Sequence, residues 1–134
     1  MNNSNALKRI LLLGDELDIL TVAGIALSKV GGFEVQCYSD SKKAIAEVED
    51  CMPDLVILDM MMPNIDGMQT LAILRSMKLV AHVPVIFMTA KVQKNEIDSY
   101  LKSGASGVIQ KPFDPMTLAD QVREIWGRTG TGHD

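Results

Sequence analysis

The most constraining feature of the sequence is a series of short apolar runs separated by segments with helical periodicity. Residues 10–13 and 55–58 contain no polar side chain, and residues 33–38, 83–88 and 107–109 are further strand candidates. Strands that are apolar throughout are typical of parallel sheets covered by helices on both faces, because neither face meets water. The runs therefore predict a parallel sheet buried between two layers of helices.

The segments between and after these runs predict five helices. The spacing of apolar residues and the position of capping residues place them at residues 18–30, 41–50, 67–77, 93–103 and from 114 onward. Asp66 is the predicted cap of the third helix, and Asp114 followed by Pro115 is a typical helix start. Five strands alternating with five helices predict an α/β fold, a doubly wound sheet with right-handed crossovers.

The length and composition fit a single domain. The chain has 134 residues, of which 47% are hydrophobic, enough for one substantial core. We expect residues 1–134 to form one domain, with its core at about residues 8–127 and a disordered tail at 128–134.

Charge and hydropathy exclude several classes of protein. The net charge is −4, and Lys and Arg are scattered, which argues against direct contact with nucleic acid. No apolar run approaches the roughly 18 residues of a membrane span, and residues 1–6 do not resemble a signal peptide. Cys37 and Cys51 lack the spacing of a zinc or CxxC redox motif. We therefore expect a cytoplasmic protein that contacts neither membrane nor nucleic acid directly.

Polar residues follow four of the five predicted strands. They are two carboxylates after the first strand, a carboxylate after the third, a hydroxyl after the fourth and an ammonium after the fifth: Asp15, Glu16, Asp59, Thr89 and Lys111. Functional sites of such folds lie at the carboxyl ends of the strands. We therefore expect these side chains to meet at one edge of the sheet.

This set of side chains is suited to phosphoryl chemistry. Converging carboxylates favour Mg²⁺, which binds oxygen ligands and often a phosphate oxygen as well. A carboxylate such as Asp59 can attack phosphorus and form an acyl phosphate. Lys111 can neutralise charge on the phosphoryl oxygens, and the Thr89 hydroxyl can donate a hydrogen bond to one of them.

Three segments carry a resemblance to a known family. Residues 54–67 (DLVILDMMMPNIDG), 85–90 (VIFMTA) and 110–113 (QKPF) resemble the phosphoacceptor, switch-threonine and lysine-proline motifs of response-regulator receiver domains. With the acidic turn after the first strand, the motifs keep the family's order and cover nearly the whole chain. The resemblance implies a flavodoxin-like doubly wound (βα)5 fold with five parallel strands in the order 2-1-3-4-5.

The resemblance also implies a function in two-component phosphorelay signalling. A stand-alone receiver of this family accepts a phosphoryl group from a sensor histidine kinase or a histidine phosphotransfer protein. It then switches a surface that binds a downstream protein, which the sequence does not identify. Such a domain is not an enzyme beyond catalysing its own phosphorylation and dephosphorylation.

The family's site residues carry over to matching positions here. Asp59 is the implied phosphoacceptor and a Mg²⁺ ligand, together with Asp15 and the backbone carbonyl of Met61, while Glu16 is a further candidate ligand. Mn²⁺ is expected to substitute for Mg²⁺. Thr89 and Lys111 are the residues that contact the phosphoryl group, and the Lys111–Pro112 peptide is expected to be cis.

Two positions depart from the family pattern. Gly14 stands where most receivers have the first of two adjacent acids, so we predict a weaker Mg²⁺ site than usual. Val108 stands where most have Tyr or Phe, so the signal must be reported without an aromatic ring on the fifth strand.

Other functions remain open at this point. The two departures leave a pseudo-receiver, a protein-interaction module independent of phosphorylation, as the main alternative. A flavin-binding protein would need a hydroxyl- and glycine-rich loop after the first strand, where this chain is acidic. A metal-dependent phosphatase would need a second acid at Met61.

Overall fold

The architecture alternates strictly between strands and helices. The structure is a computed structural model that describes residues 6–62 and 65–129. In chain order its elements are β1 (Arg9–Leu13), α1 (Leu17–Ile25), β2 (Glu34–Tyr38), α2 (Ser41–Cys51), β3 (Leu55–Asp59), α3 (Gly67–Arg75), β4 (Val85–Thr89), α4 (Lys94–Lys102), β5 (Gly107–Gln110) and α5 (Leu118–Arg128).

The five strands form one parallel sheet. Their order is β2-β1-β3-β4-β5, which confirms the flavodoxin-like doubly wound fold. In the central part of the sheet Leu58 pairs with Leu13 on one side and with Phe87 on the other. Since these residues lie within two residues of the ends of β1, β3 and β4, the chain leaves all three strands at the same edge.

The apolar runs are explained by cores on both faces of the sheet. Successive side chains of a strand point to opposite faces. In β1, Leu11 and Leu13 belong to the core beneath α2, α3 and α4, whereas Ile10 and Leu12 belong to the core beneath α1 and α5. Every residue of β3 is buried for the same reason.

Helices α1 and α5 differ most from their predicted bounds. Helix α1 ends at Ile25, and the predicted continuation to residue 30 is a π-helical turn, Ala26–Val30. Helix α5 begins at Leu118 rather than at Asp114. The Asp114 side chain accepts a hydrogen bond from the Met116 N–H at 2.9 Å, which forms a turn that precedes the regular helix.

The third helix begins as predicted. Asp66 caps α3 by accepting a hydrogen bond from the Gln69 N–H, and the Gln69 side chain accepts one from the Asp66 N–H. This reciprocal capping box satisfies two backbone donors that have no partner inside the helix. The helix ends at Arg75, two residues before the predicted end.

The helices are short throughout the described ranges. Helices α2 and α5 have 11 residues each, and none of the described helices is long and apolar enough to cross a bilayer, which takes about 20 residues. Helix α5 includes Arg128, and residues 130–134 of the predicted tail lie outside the described residues.

The contact between β5 and α5 generates a prediction about packing. A Cβ atom at Gly107 would lie 2.8 Å from Cδ1 and Cγ2 of the buried Ile125. We expect Gly107→Ala to lower the free energy of unfolding by about 1–3 kcal/mol through overpacking. The measurement is urea denaturation followed by circular dichroism.

The matched control is Gly127→Ala in α5. A Cβ there meets nothing within 4 Å, so alanine should raise stability by about 0.5–1 kcal/mol through helix propensity. If the two substitutions had equal effects on stability, the close approach of α5 to β5 would not be the reason for glycine at residue 107.

Candidate functional site

Asp59 is the buried centre of the candidate site. It is the last residue of β3, and 3% of its surface is exposed. Its Oδ1 accepts hydrogen bonds from the Met61 N–H at 3.0 Å and from Lys111 Nζ at 3.1 Å, and its Oδ2 accepts from the same Nζ at 3.2 Å. The carboxylate is therefore held in a fixed orientation by one backbone donor and one cation.

Lys111 reaches Asp59 from the end of β5. Its N–H donates to the Thr89 carbonyl at 2.9 Å, which extends the pairing of β4 and β5 by one residue. The Lys111–Pro112 peptide that follows is cis, as predicted. The lysine side chain is 13% exposed and reaches two carboxylates, those of Asp59 and Glu16.

These two carboxylates set the protonation of Lys111. Burial alone would lower the pKa of its ammonium group, but hydrogen bonds and charge attraction to Asp59 and Glu16 outweigh burial and raise the pKa above its ordinary value. Lys111 is therefore a stable cation at neutral pH, suited to neutralising negative oxygen atoms beside Asp59.

Glu16 contacts Lys111 rather than capping α1. It occupies the N-cap position of α1 without a capping hydrogen bond from its side chain, and its Oε1 lies 3.1 Å from Lys111 Nζ. Its side chain is 55% exposed, so this pair lies at the solvent border of the site. The sequence named Glu16 as a candidate metal ligand, and the pairing with Lys111 was not predicted.

Asp15 and Met61 are the other residues that the sequence assigns to a metal. Asp15 is exposed in the turn after β1, and Met61 lies two residues after Asp59 with its side chain exposed. The available donors are carboxylate and carbonyl oxygens, which fit a hard cation such as Mg²⁺. Within residues 6–62 and 65–129, no group of three or more His, Cys, Asp or Glu residues is arranged so that it could hold a metal ion.

Gly14 lies against Asp59, and a Cβ atom at this position would fit there. A Cβ atom on Gly14 would lie 3.6 Å from Asp59 Cβ, 3.7 Å from Asp59 Oδ2 and 3.7 Å from Leu20 Cδ1, all ordinary van der Waals distances. Packing therefore does not require glycine at this position, since a Cβ atom would make only ordinary contacts next to the carboxylate.

Thr89 lies at the end of β4 and is completely buried. Its Oγ1 accepts a hydrogen bond from the Lys91 N–H at 3.0 Å, so the hydroxyl is bonded to the loop that follows β4. The strand register places Asp59 opposite Met88, the residue before Thr89. The hydroxyl is thus at the predicted edge of the sheet, bonded to the β4–α4 loop.

Tyr100 of α4 is a residue near the site that the sequence did not identify. Its hydroxyl donates to the carbonyl of Lys91 at 3.2 Å, and its ring packs edge-on against Phe87. The spacing of apolar residues placed Tyr100 on the buried face of the helix. No local pattern could indicate that its hydroxyl reaches the loop after Thr89, because that contact depends on how α4 docks on the sheet.

Known proteins are similar to this chain in sequence. The family model of the response regulator receiver domain matches residues 10–123. The phosphate regulon transcriptional regulatory protein PhoB of Pseudomonas aeruginosa is 33% identical over 125 residues, 93% of this chain and 54% of PhoB. The DNA-binding response regulator MtrA of Mycobacterium tuberculosis is 34% identical over 116 residues, 87% of this chain and 49% of MtrA. The chain spans about half the length of these curated relatives.

The fold also matches solved structures. The chemotaxis response regulator CheY4 of Vibrio cholerae has a TM-score of 0.82 to this structure, covering 90% of this chain and 99% of CheY4 at 23% identity. This likeness concerns the fold alone, whereas the family model and the curated relatives extend to the sequence. The chain belongs to the response regulator receiver domains of two-component signalling.

Proposed function

We propose that this receiver accepts a phosphoryl group on Asp59 in a Mg²⁺-dependent reaction and thereby switches a protein-interaction surface. The proposed donor is a sensor histidine kinase or a histidine phosphotransfer protein, and the proposed output is a downstream protein rather than direct contact with nucleic acid. The observation that carries the proposal is the buried Asp59 carboxylate held by Lys111 and the Met61 N–H. Receiver domains act in signalling and are not classical enzymes.

Asp59 is the nucleophile in this reaction. One carboxylate oxygen forms a bond to phosphorus while the bond between phosphorus and the donor's nitrogen or oxygen breaks, and the donor group leaves with the bonding electrons. The product is an acyl phosphate. Since Lys111 and the Met61 N–H both bind Oδ1, the carboxylate is oriented before the donor arrives, which favours in-line attack.

Lys111 changes partners during the reaction. It contacts both oxygens of the Asp59 carboxylate, and after transfer the strongest negative charge within its reach is on the phosphoryl oxygens. Glu16 keeps the ammonium near the edge of the site while this exchange takes place. The Thr89 hydroxyl, on the neighbouring strand, donates to a phosphoryl oxygen in the product.

The residues that would hold Mg²⁺ are Asp15, Asp59 and, through its backbone carbonyl, Met61. Their donor atoms are oxygens, which this ion prefers. When bound, Mg²⁺ supplies positive charge that offsets the phosphoryl oxygens. Mn²⁺ accepts the same oxygen ligands, so it should substitute. Lys111 alone is one cation between two carboxylates, which explains why the proposed reaction needs a metal.

A pseudo-receiver is the second candidate function, and Gly14 favours it. With glycine at this position the turn after β1 offers fewer acidic side chains for a metal than most receivers have. In that case the unmodified protein would bind its partner, and Asp59 with Lys111 would act only as a structural ion pair.

The direct test is incubation with acetyl phosphate or phosphoramidate and Mg²⁺, followed by measurement of the intact mass. We expect a gain of one phosphoryl group that is lost in Asp59→Asn and on chelation of the metal. The matched control is Asp54→Asn. Asp54 directly precedes β3, at the opposite end of the strand from Asp59, and its carboxylate accepts hydrogen bonds from the Lys8 and Arg9 N–H groups. No gain in the unmutated protein at any Mg²⁺ concentration would favour the pseudo-receiver.

The fit of a Cβ atom at Gly14 predicts a gain of metal affinity. We expect Gly14→Asp to tighten Mg²⁺ binding roughly tenfold, because it adds an acid beside Asp59 at a position where a Cβ atom makes only ordinary contacts. Gly14→Asn is the control, since it has the same size without the charge. Isothermal titration calorimetry measures both variants, and equal affinities for the two would contradict this account of the weak site.

The buried ion pair predicts a strong coupling between two substitutions. We expect Lys111→Met to lower the free energy of unfolding by about 3 kcal/mol, because Asp59 then lacks its cation. Asp59→Asn in the same chain should recover most of this loss. The measurement is urea denaturation of both single variants and the double variant, and additive effects would contradict a direct pair.

The urea denaturation of these variants should be measured at neutral pH, because the pKa of Lys111 is raised. Folding stabilises the protonated form, so the contribution of Lys111 is fully present below its ordinary pKa of 10.5 and is lost as pH rises through the higher folded value. Neutral pH therefore measures the intact pair.

A further inference from the structure

Tyr100 connects α4 with the loop that leaves β4. It is 8% exposed, and its ring packs against Phe87 with the ring centres 5.6 Å apart and the planes at 87°. This edge-to-face contact fixes the ring on β4. The hydroxyl then donates to the Lys91 carbonyl at 3.2 Å, so α4 is bonded to the loop through a side chain that cannot easily move.

The same loop residue is bonded to Thr89. The Lys91 N–H donates to Thr89 Oγ1 at 3.0 Å, and the Lys91 carbonyl accepts from Tyr100. The backbone of Lys91 is therefore held by hydrogen bonds through both its N–H and its carbonyl group. A continuous path of hydrogen bonds runs from the Thr89 hydroxyl, through the backbone of Lys91, to the Tyr100 hydroxyl.

We propose that Tyr100 is a positioning residue that holds the Thr89 loop in the unmodified protein and carries a change at Thr89 to α4. This inference rests on the proposed phosphorylation of Asp59. A phosphoryl group places anionic oxygens near the end of β4, and a hydroxyl bonds more strongly to an anionic oxygen than it does to a neutral partner. Thr89 then turns toward the phosphoryl group, its bond with the Lys91 N–H weakens, and the Tyr100 contact passes the change to α4.

The packing around Val108 supports a role for Tyr100. Val108 of β5 pairs with Phe87 in the sheet and is half-buried against the same core that contains Phe87 and Tyr100. The aromatic ring that lies against this part of the sheet therefore comes from α4 and not from β5. This position gives α4 a direct link to the Thr89 loop without a large side chain at residue 108.

The alternative is that Tyr100 only fills the core and that its hydroxyl bonds to Lys91 as the nearest acceptor. Tyr100→Phe separates the two, because it keeps the ring against Phe87 and removes the hydroxyl alone. The matched control is Tyr38→Phe, the other tyrosine of the chain. Tyr38 is also buried, and its hydroxyl donates to Glu47 at 2.7 Å, away from the Thr89 loop.

The test uses beryllofluoride with Mg²⁺, which stands for the phosphoryl group on Asp59. Hydrogen exchange is measured on residues 90–93 and on α4 with and without the probe. We expect the probe to change exchange in both segments of the unmutated protein and of Tyr38→Phe. In Tyr100→Phe the loop should still respond, whereas the response of α4 should be lost.

Affinity for the probe gives a second readout that a purely structural role would not move. Because the Tyr100 hydroxyl restrains the unmodified loop, Tyr100→Phe should bind beryllofluoride roughly fivefold more tightly. In a Thr89→Ala background the same substitution should have no effect on affinity, since the path begins at that hydroxyl.

The outcomes separate this inference from the proposed function. Binding of the probe with an unchanged response of α4 in Tyr100→Phe would overturn the inference and leave the phosphorylation of Asp59 intact. Failure of the unmutated protein to bind beryllofluoride at any Mg²⁺ concentration would overturn both. Loss of the α4 response in Tyr38→Phe as well would also count against the inference, because it would assign the effect to general loosening of the core.

Discussion

The site depends on one buried ion pair. A carboxylate as buried as that of Asp59 is costly unless a cation and hydrogen bonds compensate for lost water. Lys111 supplies the cation from the end of β5, across β4 from Asp59, and the Met61 N–H supplies a further bond. The pair forms only when β3, β4 and β5 keep their register. The parallel sheet is therefore a requirement of this ion pair as well as the scaffold on which both cores are built.

The same pair supports the proposal that a metal binds at this site. Lys111 is shared between Asp59 and Glu16, so its single positive charge is already balanced before any phosphoryl group arrives. The proposed transfer would add negative charge at the same edge, and oxygen donors from Asp15 and Met61 lie in the adjacent turns. Gly14 contributes no acid to the proposed metal site, although a Cβ atom at this position would make only ordinary contacts, so packing is not the reason for the glycine.

Much of this arrangement could be predicted from the sequence, for identifiable reasons. Apolar runs that are buried on both faces indicate the strands. Because the strands are parallel, their carboxyl ends lie at one edge of the sheet, where Asp59, Thr89 and Lys111 are found. The strand order came from the family resemblance, since apolar runs do not encode which strands are neighbours. The predicted start of α5 at Asp114 was wrong, because the turn that Asp114 forms resembles a helix cap in sequence. The contacts of Glu16 with Lys111 and of Tyr100 with Lys91 join distant or separately packed elements, which local patterns cannot indicate.

We propose above all that the phosphoryl group is transferred to the Asp59 carboxylate. The most direct measurement is borohydride reduction of the protein after treatment with a small phosphodonor and Mg²⁺, followed by peptide mass spectrometry. An acyl phosphate of aspartate is reduced to homoserine, which marks the modified position permanently. We predict homoserine at residue 59 and at no other aspartate. Its appearance at a different aspartate, or phosphate recovered on a nitrogen or hydroxyl side chain, would contradict it.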